Sequence, residues 1–98
     1  MTISIASRWI GNRDDVVRLA GQMRKIMQGH GASDMLIHQI YAGENAGQWL
    51  VVLQYPDWET YGKGMQASSN DPAYLELFAE AAKVGQFLGR TLLTSVEF

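Results

Sequence analysis

From Trp49 to Leu53 the chain reads Trp-Leu-Val-Val-Leu, five apolar residues in succession with Tyr55 just beyond. The two valines and the aromatic flanks favour a strand, and side chains along a strand point alternately to its two faces. Trp49, Val51, Leu53 and Tyr55 therefore share one face, and Leu50 and Val52 make the other apolar as well. At 98 residues the chain forms a single domain, residues 1–98, with material for one layer of helices. One helical layer covers one face of a sheet, so the second face needs another cover.

The remaining elements follow from periodicity and punctuation. Ile3, Ile5, Ser7 and Trp9 alternate with Thr2, Ser4, Ala6 and Arg8, predicting a first strand to about Ile10. Asn12 caps a helix with Asp14 and Asp15 in its first turn; Val16, Leu19, Ala20, Met23, Ile26 and Met27 form its apolar stripe, and Gly29 and Gly31 end it. Met35–Tyr41 reads as a second strand, joined to a third, Gln48–Tyr55, by the turn Ala-Gly-Glu-Asn-Ala-Gly. Pro56 stops the third strand, having no N–H for a ladder. Asp57 caps a short helix over about 58–67, and Asp71-Pro72 starts another carrying Tyr74, Leu75, Phe78, Ala81 and Ala82. Gly85 and Gly89 bracket its exit, and Thr91–Phe98 is expected as the last strand.

The order is β-α-β-β-α-β with the second helix broken in two. It predicts an α+β, ferredoxin-like fold: a four-stranded antiparallel sheet with its helices on one face. The uncovered apolar face is too large for a monomer. A standard interface buries about 800 Å² per partner. At ~25 cal/mol per Å² on its apolar half, that gives roughly 20 kcal/mol over two partners. Association costs about 4–15 kcal/mol. A homodimer pairing sheet to sheet, as an α/β barrel, is the expected assembly.

Composition narrows the partners. The net charge is −2 and the Lys and Arg residues are scattered, so neither nucleic acid nor an anionic membrane is expected. No segment approaches a membrane span, and the alternating N-terminus lacks the apolar core of a signal peptide. Without cysteine there are no disulfides or thiolate sites, which suits a cytoplasmic protein.

The segments Val-Val-Leu-Gln-Tyr-Pro-Asp-Trp-Glu-Thr-Tyr-Gly-Lys-Gly-Met-Gln (51–66) and Ser-Ser-Asn-Asp-Pro-Ala-Tyr-Leu-Glu-Leu-Phe (68–78) give the chain a resemblance. In the first, a strand runs into an acid-capped, aromatic-rich helix; in the second, the broken helix is joined. With the element order, they make the chain similar to the dimeric α/β barrel superfamily, nearest its antibiotic-biosynthesis-monooxygenase-like and NIPSNAP-like members. The resemblance implies a homodimer whose helix–sheet clefts bind small molecules. Haem-degrading members hold iron through a histidine on the second helix, but 58–83 contains none. Monooxygenase-like members often carry a histidine where this chain has Lys63, Gly64 or Met65. Neither activity is carried over on those residues.

Candidate chemistry is sparse. His38 on the second strand is either a base facing the helix–sheet cleft or a satisfied histidine at the sheet surface or interface. His30, at a helix C-terminus, suits the dipole there. The two have no metal-ligand spacing, so no metal is expected, and no cofactor is assigned. Trp58 and Tyr61 share a helix face and either line an apolar pocket or staple the helix to the sheet. Gly62 and Gly64 loosen that helix or allow a close backbone approach. Arg8, Gln39 and Gln54 are polar residues among apolar ones, suited to orienting a ligand or bonding across a dimer. Glu76 and Glu80 read as solvated.

Two readings follow. In one, each cleft binds an apolar or aromatic molecule, with oxidation of it as the candidate activity. The ligand then touches Trp58 and Tyr61, with His38 or Arg8 as its polar contact. In the other, the protein is a non-catalytic dimeric module whose own side chains fill the cleft. A cavity of about 300 Å³ or more beside Trp58 would favour the first.

Overall fold

Strand β1 (Ile3–Ile10) runs through the middle of the sheet, and its neighbours follow from the antiparallel pairing of every strand. A computed structural model describes residues Met1–Phe98. After β1 come α1 (Arg13–Gly29), β2 (Asp34–Gln39), β3 (Trp49–Tyr55), α2 (Trp58–Ser69), α3 (Pro72–Val84) and β4 (Gln86–Thr94). The sheet order is β2-β3-β1-β4. The fold is ferredoxin-like α+β, with the expected broken second helix present as α2 and α3.

Register assigns the faces. Ile3 opposes Tyr55, Ile5 opposes Leu53, Ser7 opposes Val51 and Trp9 opposes Trp49. Met35 and Ile37 of β2 stand beside Leu53 and Val51 in turn. These side chains meet the helices. Ile3, Ile5 and Tyr55 form a buried core with Met27 of α1 and Ala32, and Met23, Ile26, Met65 and Tyr74 pack around it. Ser4, Ala6, Arg8, Leu36, His38, Leu50, Val52, Gln54 and Leu93 occupy the opposite face. No helix lies on that side. The molecule measures 39 × 33 × 18 Å, and its short dimension is that of one sheet and one helical layer.

Local chemistry places the helices. The Asn12 side chain accepts from the Asp15 N–H at 2.9 Å, Asp57 from Thr60 at 2.7 Å and Asp71 from Ala73 at 2.9 Å. Each satisfies a donor that a helix start leaves unpaired. Asp71 also lies 2.7 Å from Nε2 of His30, which ties the end of α1 to the start of α3. Gly64 shows why α2 packs so close beneath that tie. A Cβ there would sit 2.7 Å from the His30 carbonyl oxygen and 2.8 Å from the Tyr55 ring. Of the two roles expected for the glycines of α2, Gly64 serves close approach, while Gly62 meets nothing.

The last strand is displaced from its expected place. It spans Gln86–Thr94 rather than Thr91–Phe98, so it begins directly after α3. Gly89 does not end a helix. It lies inside the strand with φ +144, where the β1–β4 register shifts between Arg8 and Trp9. A glycine at a strand irregularity relieves a conformation other residues rarely adopt. The shift turns Phe87 under the helices, against Trp9 at a centroid distance of 5.2 Å. Beyond Thr94 only Ser95 holds on, exchanging hydrogen bonds with Thr2. The other strands differ from expectation only at their ends: β2 stops at Gln39 and β3 starts at Trp49.

Two outcomes are expected. Gly64→Ala should cost roughly 2 kcal/mol in urea denaturation, because backbone rather than a flexible side-chain tip blocks the new methyl. The His30 side chain and then the Ala73 N–H hold the Asp71 carboxyl below the usual carboxylate range. Its stabilising contribution is complete above the unfolded value and is lost as pH falls through the lowered folded one. Asp71→Asn should therefore lower the melting temperature at neutral pH and narrow its gap to wild type as acid is added.

Candidate functional site

The helix-facing side of the sheet carries two aromatic groups. Trp9 is met edge-on by Phe78 of α3 at 5.6 Å and by Phe87 of β4 at 5.2 Å, and Tyr74 lies 6.2 Å from Phe78. The second group runs along α2: Tyr61 stands edge-on to Tyr55 and to Trp58, both at 5.7 Å. Such edge-to-face contacts hold rings in fixed orientations. Burial raises the Tyr55 phenol to about 12, with Tyr61 and Tyr74 adding to the effect. Tyr55 is therefore a neutral core residue at physiological pH rather than an acid–base group, and its hydroxyl has no hydrogen-bond partner.

Around the first group the helix–sheet layer leaves two chambers of about 90 Å³ each. The inner chamber lies between α1 and α3, walled by Val16, Leu19, Ala20, Leu77 and Ala81, with Gly11 and Gly85 at its end. The outer chamber extends toward Met27, Met65 and Tyr74, and Ser7 and Arg90 are its polar residues. Trp9, Met23, Met35, Val51 and Phe78 border both, so side chains rather than backbone divide the cleft.

Arg90 and Ser7 face each other across the β1–β4 ladder. The guanidinium lies 5.2 Å from the Phe87 ring centroid and is in no ion pair. A cation held over a ring and open at its other edge can receive an anionic or strongly polar group. Ser7 supplies a hydroxyl beside it. The arrangement suits a flat apolar molecule with one polar or ionised end. No three His, Asp or Glu side chains converge where a metal could be held.

The residues singled out from the sequence do not form one cluster. Trp58 and Tyr61 are together, but neither lines a chamber: Trp58 is 45% exposed and Tyr61 packs on the core. Arg8 and His38 lie on the helix-free face of the sheet, flanking Leu50 from the strands on either side. The sheet separates them from Trp58 and Tyr61, so a ligand held under α2 cannot touch both pairs. Nε of Arg8 is buried without an acceptor, and His38 is exposed. Gln39 sits at the end of edge strand β2 and turns back to the Gly47 carbonyl at 3.5 Å. Gln54 shares the open face with Arg8.

A last strand starting at Thr91, as the sequence suggests, leaves Arg90 outside the sheet and hides its grouping with Ser7, Tyr74 and Phe78. With the strand starting at Gln86, the register shift at Gly89 places Arg90 beside Ser7 on the helix side, the same side as Phe87. The aromatic spacing of Tyr74 and Phe78 on α3 was the available signal.

No protein-family model matches the chain, and no curated protein matches it either. Its fold is nevertheless shared with solved structures. SnoaB from Streptomyces nogalater, described as a cofactor-independent oxygenase, superposes with a TM-score of 0.74 at 8% identity, covering 99% of this chain and 95% of that one. Rv0793 from Mycobacterium tuberculosis gives 0.67 at 13% identity over 100% of this chain and 98% of that one. A proposed antibiotic biosynthesis monooxygenase from Deinococcus radiodurans gives 0.60 at 14% identity, covering 100% and 95%. These likenesses show the ferredoxin-like fold. No helix of the chain is long and apolar enough to cross a membrane.

Phe78 borders both chambers and touches three aromatic rings. Phe78→Ala should join the chambers and cost about 3 kcal/mol, read by urea denaturation followed through tryptophan fluorescence.

Proposed function

We propose that this protein is a homodimer whose protomers each bind a small aromatic molecule in the helix–sheet cleft and oxygenate it without a cofactor. The observation that carries the binding half is the outer chamber: apolar walls, with Ser7 and Arg90 as the polar residues. A ring lies among Met23, Phe78 and Tyr74, and its hydroxyl or ionised oxygen meets Arg90. An electron-rich aromatic anion is the kind of molecule that reacts with dioxygen unaided. The side chains named here would bind it, hold its charge and exclude water. SnoaB, which shares the fold, supports the oxygenation half by analogy alone.

Chamber size sets the ligand. Pockets for drug-sized molecules hold about 300–1,000 Å³. Each chamber here is about 90 Å³. A single ring enters the outer chamber only if its wall yields, and Met65, which borders that chamber alone, is an unbranched side chain able to do so. The same small volume supports the other reading, a dimeric module with a self-filled cleft.

Surface area supports the dimer. A compact 10.9 kDa monomer is expected to expose about 5,600 Å². This chain exposes 6195 Å². Only 13 of its 98 residues are buried, so one protomer completes little core. A second copy on the open face would cover Leu36, Leu50, Val52 and Leu93 and give Arg8 a place to find an acceptor.

A thermal-shift titration with phenol and benzene tests the binding. At 100 times its dissociation constant a ligand adds about 2.7 kcal/mol, or upward of 10 °C for a domain this small. Arg90→Ala should remove the preference for phenol over benzene, and Trp58→Ala should leave both affinities unchanged. No shift with either compound would favour the self-filled module.

A further inference from the structure

The inner chamber differs from the outer one in chemistry as well as position. Asp15 is its one charged residue, at the α1 end, and the carboxylate is engaged by Asn12 Nδ2 at 2.7 Å and Arg18 at 3.3 Å. The Gly11 carbonyl on the same wall accepts from Trp49 Nε1 at 2.9 Å. Both polar groups stand at the partly exposed end, so a water molecule deeper in the chamber lacks the two to four polar partners it needs. Apolar cavities take up apolar guests, one of ~150 Å³ holding benzene or xenon, and this chamber, open to solvent beside the half-exposed Ile10 and Val84, has the same kind of lining. At about 90 Å³ the inner chamber is too small for a ring and large enough for a molecule of two or three heavy atoms.

We infer that the inner chamber is a separate binding site for a small uncharged apolar molecule of dioxygen size. Met23 and Met35 form the movable partition between this guest and a ring in the outer chamber. The two chambers share five wall residues, so a guest in one lies a single side chain from the other. The far end of the chamber is built for close approach. Gly85 lies where a Cβ would come within 2.7 Å of the Ile10 carbonyl oxygen, so the β1 end and the α3 exit meet backbone to backbone. That seam gives the chamber one rigid main-chain wall, and the methionine side is a flexible one. Identifying the guest as dioxygen rests on the oxygenase reading above, whereas the site itself rests only on the cavity and its lining.

Xenon is the probe, read in crystals pressurised with the gas and by ¹²⁹Xe chemical shift in solution. The expected result is one xenon atom between α1 and α3, bounded by Leu19, Leu77 and Ala81. Ala81→Phe fills that space and should abolish the xenon signal, while phenol affinity stays within about twofold because Ala81 does not border the outer chamber. Val16→Phe, filling from the opposite wall, is the second variant should Ala81→Phe unfold. Absence of xenon from the chamber in the wild-type protein, or xenon uptake unchanged in both folded variants, overturns the site. Xenon bound where no aromatic compound binds upholds the site and removes dioxygen as its guest, which separates the failure of the earlier reading from the failure of this one.

Discussion

Everything in this fold answers to a strand that is apolar on both faces in a chain with one layer of helices. β3 pairs with β1 on one side and β2 on the other, so it lies inside the sheet and cannot turn either face to an edge. Its odd-numbered side chains, Trp49 to Tyr55, are answered within the protomer by α1, α2 and α3. Its even-numbered ones, Leu50 and Val52, are not. Apolar burial is the dominant favourable contribution to folding, and here half of the available sheet surface is left out of it. The thin molecule, its few buried residues and its surplus of surface are three expressions of that arithmetic.

On the covered side the helices are positioned by polar chemistry and the cleft is shaped by aromatic chemistry. Asn12, Asp57 and Asp71 set where each helix starts, and the His30–Asp71 contact draws the α2–α3 joint onto the end of α1. That end of the layer packs tightly around Tyr55 and Gly64. The other end is spread by Trp9, Phe78 and Phe87, whose edge-to-face packing cannot fill space as aliphatic side chains would. The chambers lie where the bulky rings are, not where the helix is weakest. Of α2 only Met65, beside Gly64, reaches the cleft, on the far wall of the outer chamber.

Much of this was legible in the residues. The β-α-β-β-α-β order, all three helix caps and the double-sided character of β3 came from periodicity and from Asn, Asp and Pro at definite places. The candidate site was not. Arg8 and His38 read as cleft residues only while the face of each strand was unassigned, and hairpin register is fixed by pairing that a sequence does not display. Arg90 was hidden by a more local ambiguity. Gly85 and Gly89 look alike as helix terminators, yet one caps α3 and the other relieves an irregularity inside β4. The choice between them moved the strand by five residues at its start and with it the only cation facing the cleft.

The central claim is that the helix-free face of the sheet is completed by a second copy of the chain. Sedimentation equilibrium at micromolar concentration, on wild type and Val52→Asp together, tests it most directly. Val52 lies at the centre of that face and makes no contribution to the helix side, so a carboxylate there leaves the protomer's own core intact while placing an unpaired charge in the contact, at a cost of several kcal/mol. The expected result is a wild-type species of twice the 10.9 kDa chain mass and a Val52→Asp monomer with unchanged circular dichroism. A wild-type protein that sediments as a single 10.9 kDa species under those conditions would contradict it.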